Sequence, residues 1–501
     1  MDAQNLQSNA LIKAGLISGV SLVLGLFFDY FFYAKVPGIS FPLYTVLIMA
    51  GLFAMAFFFR KKINKEVIWL LIPLVFFSSM VFVRSSEMLT VFNIAASLSL
   101  LLVIAKISFG KKVKSFLIED YIKVFFIPIR FIRPLFQTLS DLFLSFKARK
   151  DQKVFSQVIK GILMAIPVLF VFLLLFSSAD LIFKKYVSDL ININIEPEII
   201  ARSVLILIAA LAYIGAYSCI FRKKESQTAV RQDNKSYSIG RIENSILLGS
   251  VNILFFIFML IQLTYLFGGE TNISAQGFTY AEYARRGFFE LIAVAVISLL
   301  LLLITERYIV KKESGHTIGF KLLSAALIVQ VILIMTSAFT RLSLYEEAYG
   351  FTDQRLFSHA FIILLAAVFC LLLYKIYRNV KESAFALQVF ISIILFLAVM
   401  NFLNPDAFIA RRNIERFIAT GKLDAYYLGR LSSDAIPDTI KILDVSDEDM
   451  KGSFARGLYW RAQDINSSYF SKWQSLNLSR MKAKKILNSR MSEIEPYKDY
   501  Q

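Results

Sequence analysis

Apolar residues along this chain fall into long runs that polar segments separate. Eleven of the runs approach 20 residues, and a helix of about 20 residues crosses the roughly 30 Å hydrocarbon core of a bilayer. The pattern therefore predicts an all-α fold, a polytopic transmembrane helix bundle of about 11 spans. The predicted spans cover residues 14–34, 41–59, 67–83, 88–105, 161–183, 199–221, 245–267, 287–305, 322–339, 356–374 and 385–403.

Composition agrees with this class and excludes others. Of the 501 residues, 57% are hydrophobic, only 18% are charged, and 48 are phenylalanine. A soluble domain is about half apolar and about a quarter charged, so soluble globular, disordered and disulfide-scaffold classes are excluded. The two cysteines and two histidines form no CxxC or Cys/His cluster. The sequence therefore predicts no metal site and no cofactor.

Basic residues are concentrated on one side of the predicted membrane. Of the 55 Lys and Arg residues, 30 lie in segments on the N-terminal side and 9 on the other side up to residue 403. Because Lys and Arg favour cytoplasmic loops, the N-terminus is predicted inside and, after an odd number of spans, the C-terminus outside. The expected partner of the basic side is the anionic inner leaflet, and nucleic acid is not expected.

Changes of composition divide the membrane part of the chain. Residues 1–109 hold spans one to four, and residues 161–403 hold spans five to eleven. Between them, residues 110–160 mix Phe and Leu with Lys and Arg, which predicts cationic amphipathic helices lying in the cytoplasmic interface. Pro128 and Pro134 are expected to break this segment into short helices. The alternative is a helix packed under the bundle.

The tail, residues 404–501, lacks long apolar runs and predicts a small helical extramembrane domain. Asn404 as a cap and Pro405 in the first turn predict the start of a helix. Gly421 is expected to end it. Further short helices are predicted at 432–443 and 473–487.

The candidate functional residues are polar side chains at the outer ends of the spans. Unpaired charges at a hydrophobic boundary are costly, so we expect the outer loops to converge on one polar vestibule. Arg286 and Arg341 are candidates for anion contact. Glu282, Glu290 and His359 are candidates for pairing or proton transfer, and a purely structural ion-pair cap is the alternative. The full set is Arg286, Arg341, Glu282, Glu290, His359, Asp29, Asp180 and Arg355.

One small-residue motif lies in the first predicted span. Gly15 and Gly19 form a GxxxG pattern, which is typical of closely packed membrane helices. Packing within the chain is the favoured interpretation, and dimerisation is the alternative.

Several segments are similar to a known family. The sequence FTYAEYARRGFFEL at 278–291, with YGFTDQR at 349–355 and NPDAFIARRNIER at 404–416, resembles the DUF4173 family of unknown function and its relative DUF4153. The resemblance implies a bacterial cytoplasmic-membrane protein with many spans and no assigned activity. It supplies no catalytic residue.

Three function classes remain open. The favoured one is a non-enzymatic transport, lipid-handling or scaffold protein that meets an envelope lipid, glycan or protein outside, because 11 spans exceed what an anchor needs. The second is a membrane enzyme acting on an envelope lipid or glycan at the outer interface. The third is a sensor or regulatory subunit. Walker, dinucleotide-binding, GxSxG and HExxH motifs are absent from the sequence.

Overall fold

The computed structural model describes residues 3–108, 112–145, 180, 197–221, 240–266, 288–308, 317–444 and 448–500. Within these residues the regular secondary structure is helical, and no strand occurs. The prediction of an all-α helix bundle is confirmed.

Ten of the described helices are long and apolar enough to cross a membrane, so the chain is a multi-pass membrane protein. The fifth predicted span, 161–183, lies outside the described residues. The ten helices are α1 (Ala3–Phe32), α2 (Ser40–Phe58), α3 (Lys65–Val83), α4 (Glu87–Ser108), α7 (Pro197–Phe221), α8 (Arg241–Leu266), α9 (Phe288–Tyr308), α10 (Ile318–Tyr349), α11 (Asp353–Arg378) and α12 (Glu382–Leu403).

Contacts between helices define two ends of the bundle. Asp29, near the end of α1, pairs with Arg202, near the start of α7. At the opposite end, Lys61 in the α2–α3 turn donates to the Ile220 carbonyl near the end of α7, at 2.7 Å. We call the end with Lys61 the basic end and the end with Asp29 the domain end. Helix α7 therefore starts at the domain end and ends at the basic end.

Residues 112–145 lie at the basic end and include α5 (Ile118–Ile122), a 3-10 turn and α6 (Ile127–Ser145). One face packs against the bundle, where the Thr138 and Ser218 hydroxyls are 2.7 Å apart. Phe131 lies so close to Gly215 that a Cβ there would be 2.9 Å from the Phe131 Cβ. The other face exposes large apolar side chains, namely Ile122, Phe125, Phe126, Ile129 and Ile132.

The two prolines do not break this segment as expected. Pro128 lies in the first turn of α6, where a helix needs no amide donor. Pro134 lies inside α6, and the helix continues through it. The contacts of Phe131 and Thr138 with α7, on either side of Pro134, hold the helix in place against the cost of the proline.

Residues after 403 fold into a helical domain at the domain end, which we call the C-terminal domain. Its core contains Phe454, Leu458 and Leu487, each fully buried. The longest described helix, α16, was not predicted, although Phe454, Leu458 and Ile465 recur at helical spacing and are buried. The helices are α13 (Pro405–Thr420), α14 (Ala425–Arg430), α15 (Ile436–Thr439), α16 (Glu448–Asn466), α17 (Ser468–Ser471), α18 (Leu478–Ser489) and α19 (Met491–Ile494).

Asn404 joins the last span to this domain in a way that the sequence did not predict. It has a left-handed backbone with φ of 55°, and its side chain does not cap α13. The predicted helix start at Asn404 and Pro405 is confirmed, but the Asn404 side chain makes no capping hydrogen bond, and the residue turns the chain between α12 and α13. The expected end of α13 at Gly421 is confirmed, with φ of 69°.

Helix α10 continues ten residues beyond the predicted span 322–339, to Tyr349. The extension carries charged residues and was expected to be a loop. It is helical because Arg341, Leu342 and Glu346 are buried against the neighbouring elements. Burial of one face supports a helix where composition alone favours a loop.

Among the described residues, the GxxxG motif mediates no close packing. A Cβ added at Gly15 or Gly19 would meet no atom within 4 Å. The close approach occurs instead at Gly25, where a Cβ would lie 2.7 Å from the Ile206 carbonyl oxygen of α7. The described part of the chain therefore supplies no packing partner for the motif, and its role stays a prediction.

Candidate functional site

The C-terminal domain is joined to the bundle through Asp434, which is 5% exposed. Its Oδ2 accepts the backbone N–H groups of Ser85, at 2.6 Å, and Ser86, at 2.9 Å, in the α3–α4 turn. The Ser479 hydroxyl donates to Oδ1, and the Arg84 guanidinium lies 3.7 Å from Oδ1. A carboxylate with this many donors compensates the cost of its burial.

Asn477 links two helices at the same junction. Its amide nitrogen donates to the carbonyls of Val81, at 3.1 Å, and Arg84, at 2.7 Å, where α3 ends. Its amide oxygen accepts the Arg480 N–H at 3.1 Å and caps α18. One side chain thus satisfies free backbone groups of a membrane helix and of a domain helix.

The domain also contacts the α10–α11 turn. Asn413 and the backbone of Phe351 exchange two hydrogen bonds, at 2.7 and 2.8 Å. Arg416 donates to the carbonyls of Glu347, at 2.9 Å, and Ala348, at 2.6 Å. These carbonyls lie in the last turn of α10, so a cation there also meets the negative end of the helix dipole.

A third contact involves the α1–α2 turn. The Ile39 N–H donates to the Leu476 carbonyl at 2.9 Å. A side chain at Gly38 would overlap that carbonyl, so the approach requires glycine. Three separate turns therefore fix the position of the domain on the bundle.

Acidic groups collect near the junction. Burial raises the pKa of Asp406, and the charge of Asp434 raises it further, whereas a hydrogen bond from the Ser432 N–H, at 3.0 Å, acts in the opposite direction. The Tyr427 hydroxyl accepts the Asp353 N–H at 2.8 Å, and burial with the Asp353 charge raises the pKa of Tyr427. The stability of the fold around these groups therefore depends on their protonation.

His359 lies at the domain end with acceptors at both ring nitrogens. Its Nδ1 is 3.2 Å from the Glu346 carboxylate. Its Nε2 is 3.2 Å from the Phe339 carbonyl oxygen and 3.3 Å from the Ser343 hydroxyl. Nε2 can therefore either accept from the Ser343 hydroxyl or donate to the Phe339 carbonyl, depending on the tautomer of the ring.

The other predicted site residues are distributed over the domain end. Asp29 is 4% exposed and pairs with Arg202 at 2.7 Å. Arg341 is buried within α10, and Arg355 lies 4.1 Å from the Tyr345 ring centroid.

The remaining predicted residues do not take part in this junction as far as it is described. Glu290 and Asp180 are exposed. Glu282 and Arg286 lie outside the described residues. The structure therefore brings together the turn before α11 and the C-terminal domain, but it does not describe the loop before α9.

Sequence reasoning missed the residues that form most of the junction, chiefly Asp434, Asn477 and Asn413. Their partners are far away in sequence, since Asp434 and Ser85 are 349 positions apart. The local pattern of an Asp after two serines and an Asn before a helix signals capping only.

Charged pairs also occur at the basic end. Lys375 and Glu306 are both buried, with 2.5 Å between the Nζ and Oε2 atoms. Lys106 pairs with Asp120 at 2.8 Å and ties α5 to the end of α4. Among the described residues, no group of three His, Cys, Asp or Glu side chains is placed to hold a metal ion.

Comparison with known proteins gives one match. A family model described as "Domain of unknown function (DUF4153)" matches residues 71–442, which is more than half of the chain. It is the second of the two related families that the sequence resembles. No curated protein and no solved structure matches the chain.

Proposed function

Because the chain belongs to the DUF4153 family, a domain of unknown function, no activity follows from its membership, and we propose from its geometry a non-enzymatic membrane scaffold. In this proposal the protein resides in the bacterial cytoplasmic membrane with its basic end inside. The bundle holds the C-terminal domain outside, where the domain meets an envelope partner. The observation that carries the proposal is the docking of this domain through Asp434 and the three turns.

The type of contact between the C-terminal domain and the bundle supports a scaffold role. Its contacts are mainly directional hydrogen bonds, and a buried carboxylate at the centre contributes to orientation at least as much as to stability. A domain that only needed to be tethered would require one span and no fixed orientation. Here its position is determined by side chains on α3–α4, α10–α11 and α1–α2.

The interior of the bundle favours a scaffold over a transporter. Among the described spans, Asp, Glu, Lys and Arg occur near the helix ends and not in the central turns. Ion-coupled transporters place ionisable groups and interrupted helices near the middle of the membrane. The described helices contain no Asp, Glu, Lys or Arg and no interruption near the middle of the membrane.

Releasing the domain tests the proposal. Asp434→Ala leaves the Ser85 and Ser86 amides without their acceptor, and each such loss costs about 1–3 kcal/mol. We expect normal membrane abundance, faster proteolytic release of the C-terminal domain, and loss of complementation in a deletion strain. Asp438→Ala is the matched control, because Asp438 pairs only with the exposed Lys441 among the described ion pairs. Full complementation by a chain whose domain is released would overturn the scaffold role.

One observation favours a second candidate, a membrane enzyme acting on an envelope lipid or glycan. Ser343, His359 and Glu346 are aligned as a nucleophile, a base and an orienting carboxylate would be. The Phe339 carbonyl competes with this role, because it lies as close to Nε2 as the Ser343 hydroxyl does and is an acceptor for an Nε2–H group. If Ser343→Ala abolished complementation at normal abundance with the domain still docked, the enzyme would be favoured over the scaffold.

A further inference from the structure

Three basic side chains come together where the first two spans meet the C-terminal domain. Lys35 lies in the α1–α2 turn, Arg202 lies near the start of α7, and Lys472 lies between α17 and the following 3-10 turn. The charges of Lys472 and Arg202 both act on Lys35. The three residues come from three distant parts of the sequence, so only the fold places them together.

Aromatic rings surround these cations. The Lys35 Nζ is 5.0 Å from the centroid of the Tyr30 ring, and the Tyr30 ring is 6.2 Å from that of Trp473. The Arg202 guanidinium is 5.4 Å from the Tyr33 ring centroid. Tyr30 is 47% exposed and Trp473 is 44% exposed, so both rings have free surface.

The position corresponds to the membrane boundary. The first span ends at Phe32, and the second begins at Ser40. Tyr and Trp are enriched at the level of lipid headgroups, where one side of the ring is apolar and the other polar. The three cations therefore lie at the depth of lipid phosphates.

Positive charge at this place is only partly balanced. Asp29 is committed to Arg202 at 2.7 Å, and the exposed Glu198 is 3.7 Å from Arg202. Among the described residues, no carboxylate lies within 4 Å of the Lys35 or Lys472 ammonium groups. Burial lowers the pKa of Lys35, the positive charges of Lys472 and Arg202 lower it further, and the charge of Asp29 acts in the opposite direction. A bound anion would relieve this repulsion.

We propose that Lys35, Arg202 and Lys472 bind the phosphate group of an anionic lipid headgroup at the domain end, with Tyr30 and Trp473 beside it. Lysine binds phosphate as a mobile point charge, and Arg202 supplies a planar donor group. The lipid would connect the bundle with the C-terminal domain. This site does not depend on the scaffold role, since it concerns a ligand and not the partner of the domain.

Fluorescence of Trp473 can report the ligand directly. The chain has three tryptophans, so Trp69→Phe and Trp460→Phe leave Trp473 as the only reporter in the purified full-length protein. Phosphatidylglycerol and phosphatidylcholine with brominated acyl chains are then compared, because bromine quenches a neighbouring indole. We expect quenching at a lower mole fraction of the anionic lipid.

Charge variants test the assignment of residues. Lys35→Gln and Lys472→Gln should each weaken the apparent affinity for phosphatidylglycerol about fivefold, as expected for one cation near a lipid surface. Arg202 is left intact, because its loss would strand the buried Asp29. Lys422→Gln is the matched control, an exposed lysine of the same domain on the α13 side.

Competition with inorganic phosphate decides whether the site recognises the phosphate group alone or requires the whole lipid. Protection of Trp473 by millimolar inorganic phosphate supports a site for the phosphate group itself, whereas no protection supports a site that requires the lipid. Equal quenching by both lipids would overturn the proposal. An unchanged affinity for phosphatidylglycerol in the double variant Lys35→Gln/Lys472→Gln would also overturn it. Neither result affects the complementation test of the scaffold role.

Discussion

At the scale of single residues, the junction depends on polar side chains that find distant partners. Asp434 and Asn477 satisfy backbone groups of α3 and of the α3–α4 turn. Their residue types are ordinary for turns and caps, and the sequence around them does not indicate a membrane helix as the partner. The sequence did identify His359 as a polar residue at a helix end, but its partner Glu346 became evident only from the packing of α10 against α11.

The raised pKa of Asp406 predicts how the stability of the C-terminal domain responds to pH. A carboxyl whose pKa is raised in the folded protein contributes its stability fully below the pKa of the free group, about 3.9, and loses it as pH rises through the folded value. We therefore expect proteolytic release of the C-terminal domain to become faster as pH rises through this window. Asp406→Asn should flatten the profile, and Asp438→Asn should leave it unchanged. An unaltered profile in Asp406→Asn would contradict the assignment to Asp406.

At the scale of elements, hydropathy predicted the described spans because bilayer thickness imposes a length of about 20 apolar residues. It failed where burial against another part of the protein decides the structure. The end of α10 is helical because Leu342 and Glu346 are buried, and α6 continues through Pro134 because α7 supports it. Such contacts join residues that are far apart in sequence. The periodicity of apolar residues along the chain therefore does not predict them.

The exposed face of α5–α6 predicts binding to the inner leaflet. Phe125 and Phe126 are 65% and 59% exposed, beside Lys123 and Arg130, so the face combines apolar burial with attraction to anionic lipid. A peptide of residues 113–145 should gain helix with anionic vesicles and less with neutral ones, as measured by circular dichroism. Phe125→Ser/Phe126→Ser should reduce the gain, and Phe131→Ser, on the face turned to the bundle, should reduce it less. No helix gain with anionic vesicles would rule out the interfacial role.

At the scale of the whole molecule, the arrangement of ends agrees with the charge distribution. The α2–α3 turn with Lys61 and the last helical turn of α4 with Lys106 lie at one end of the bundle. The C-terminal domain lies at the other end. The alternation of spans and the excess of Lys and Arg in alternate loops predict that the basic turns and the C-terminal domain lie at opposite ends. The sequence could not predict that the domain folds back onto three turns.

The orientation predicts the location of the C-terminus. A reporter that is active only in the periplasm should be active when fused after Gln501, and a reporter active only in the cytoplasm should not. Fusion of each reporter after Lys61, in the α2–α3 turn, is the internal control and should give the reverse pattern. Cytoplasmic activity at Gln501 would place the domain inside and contradict the proposed location.

The double capping by Asn477 has a consequence for the order of biogenesis. Helix α3 belongs to the first part of the chain to leave the ribosome, whereas Asn477 is made almost 400 residues later, since it lies 393 positions beyond Arg84. Until then, the Val81 and Arg84 carbonyls lack the donor that they have in the folded protein. Maturation of the membrane part is therefore completed by its latest-made segment, and a nascent chain that stops short of Asn477 leaves an unfinished helix end at the membrane surface.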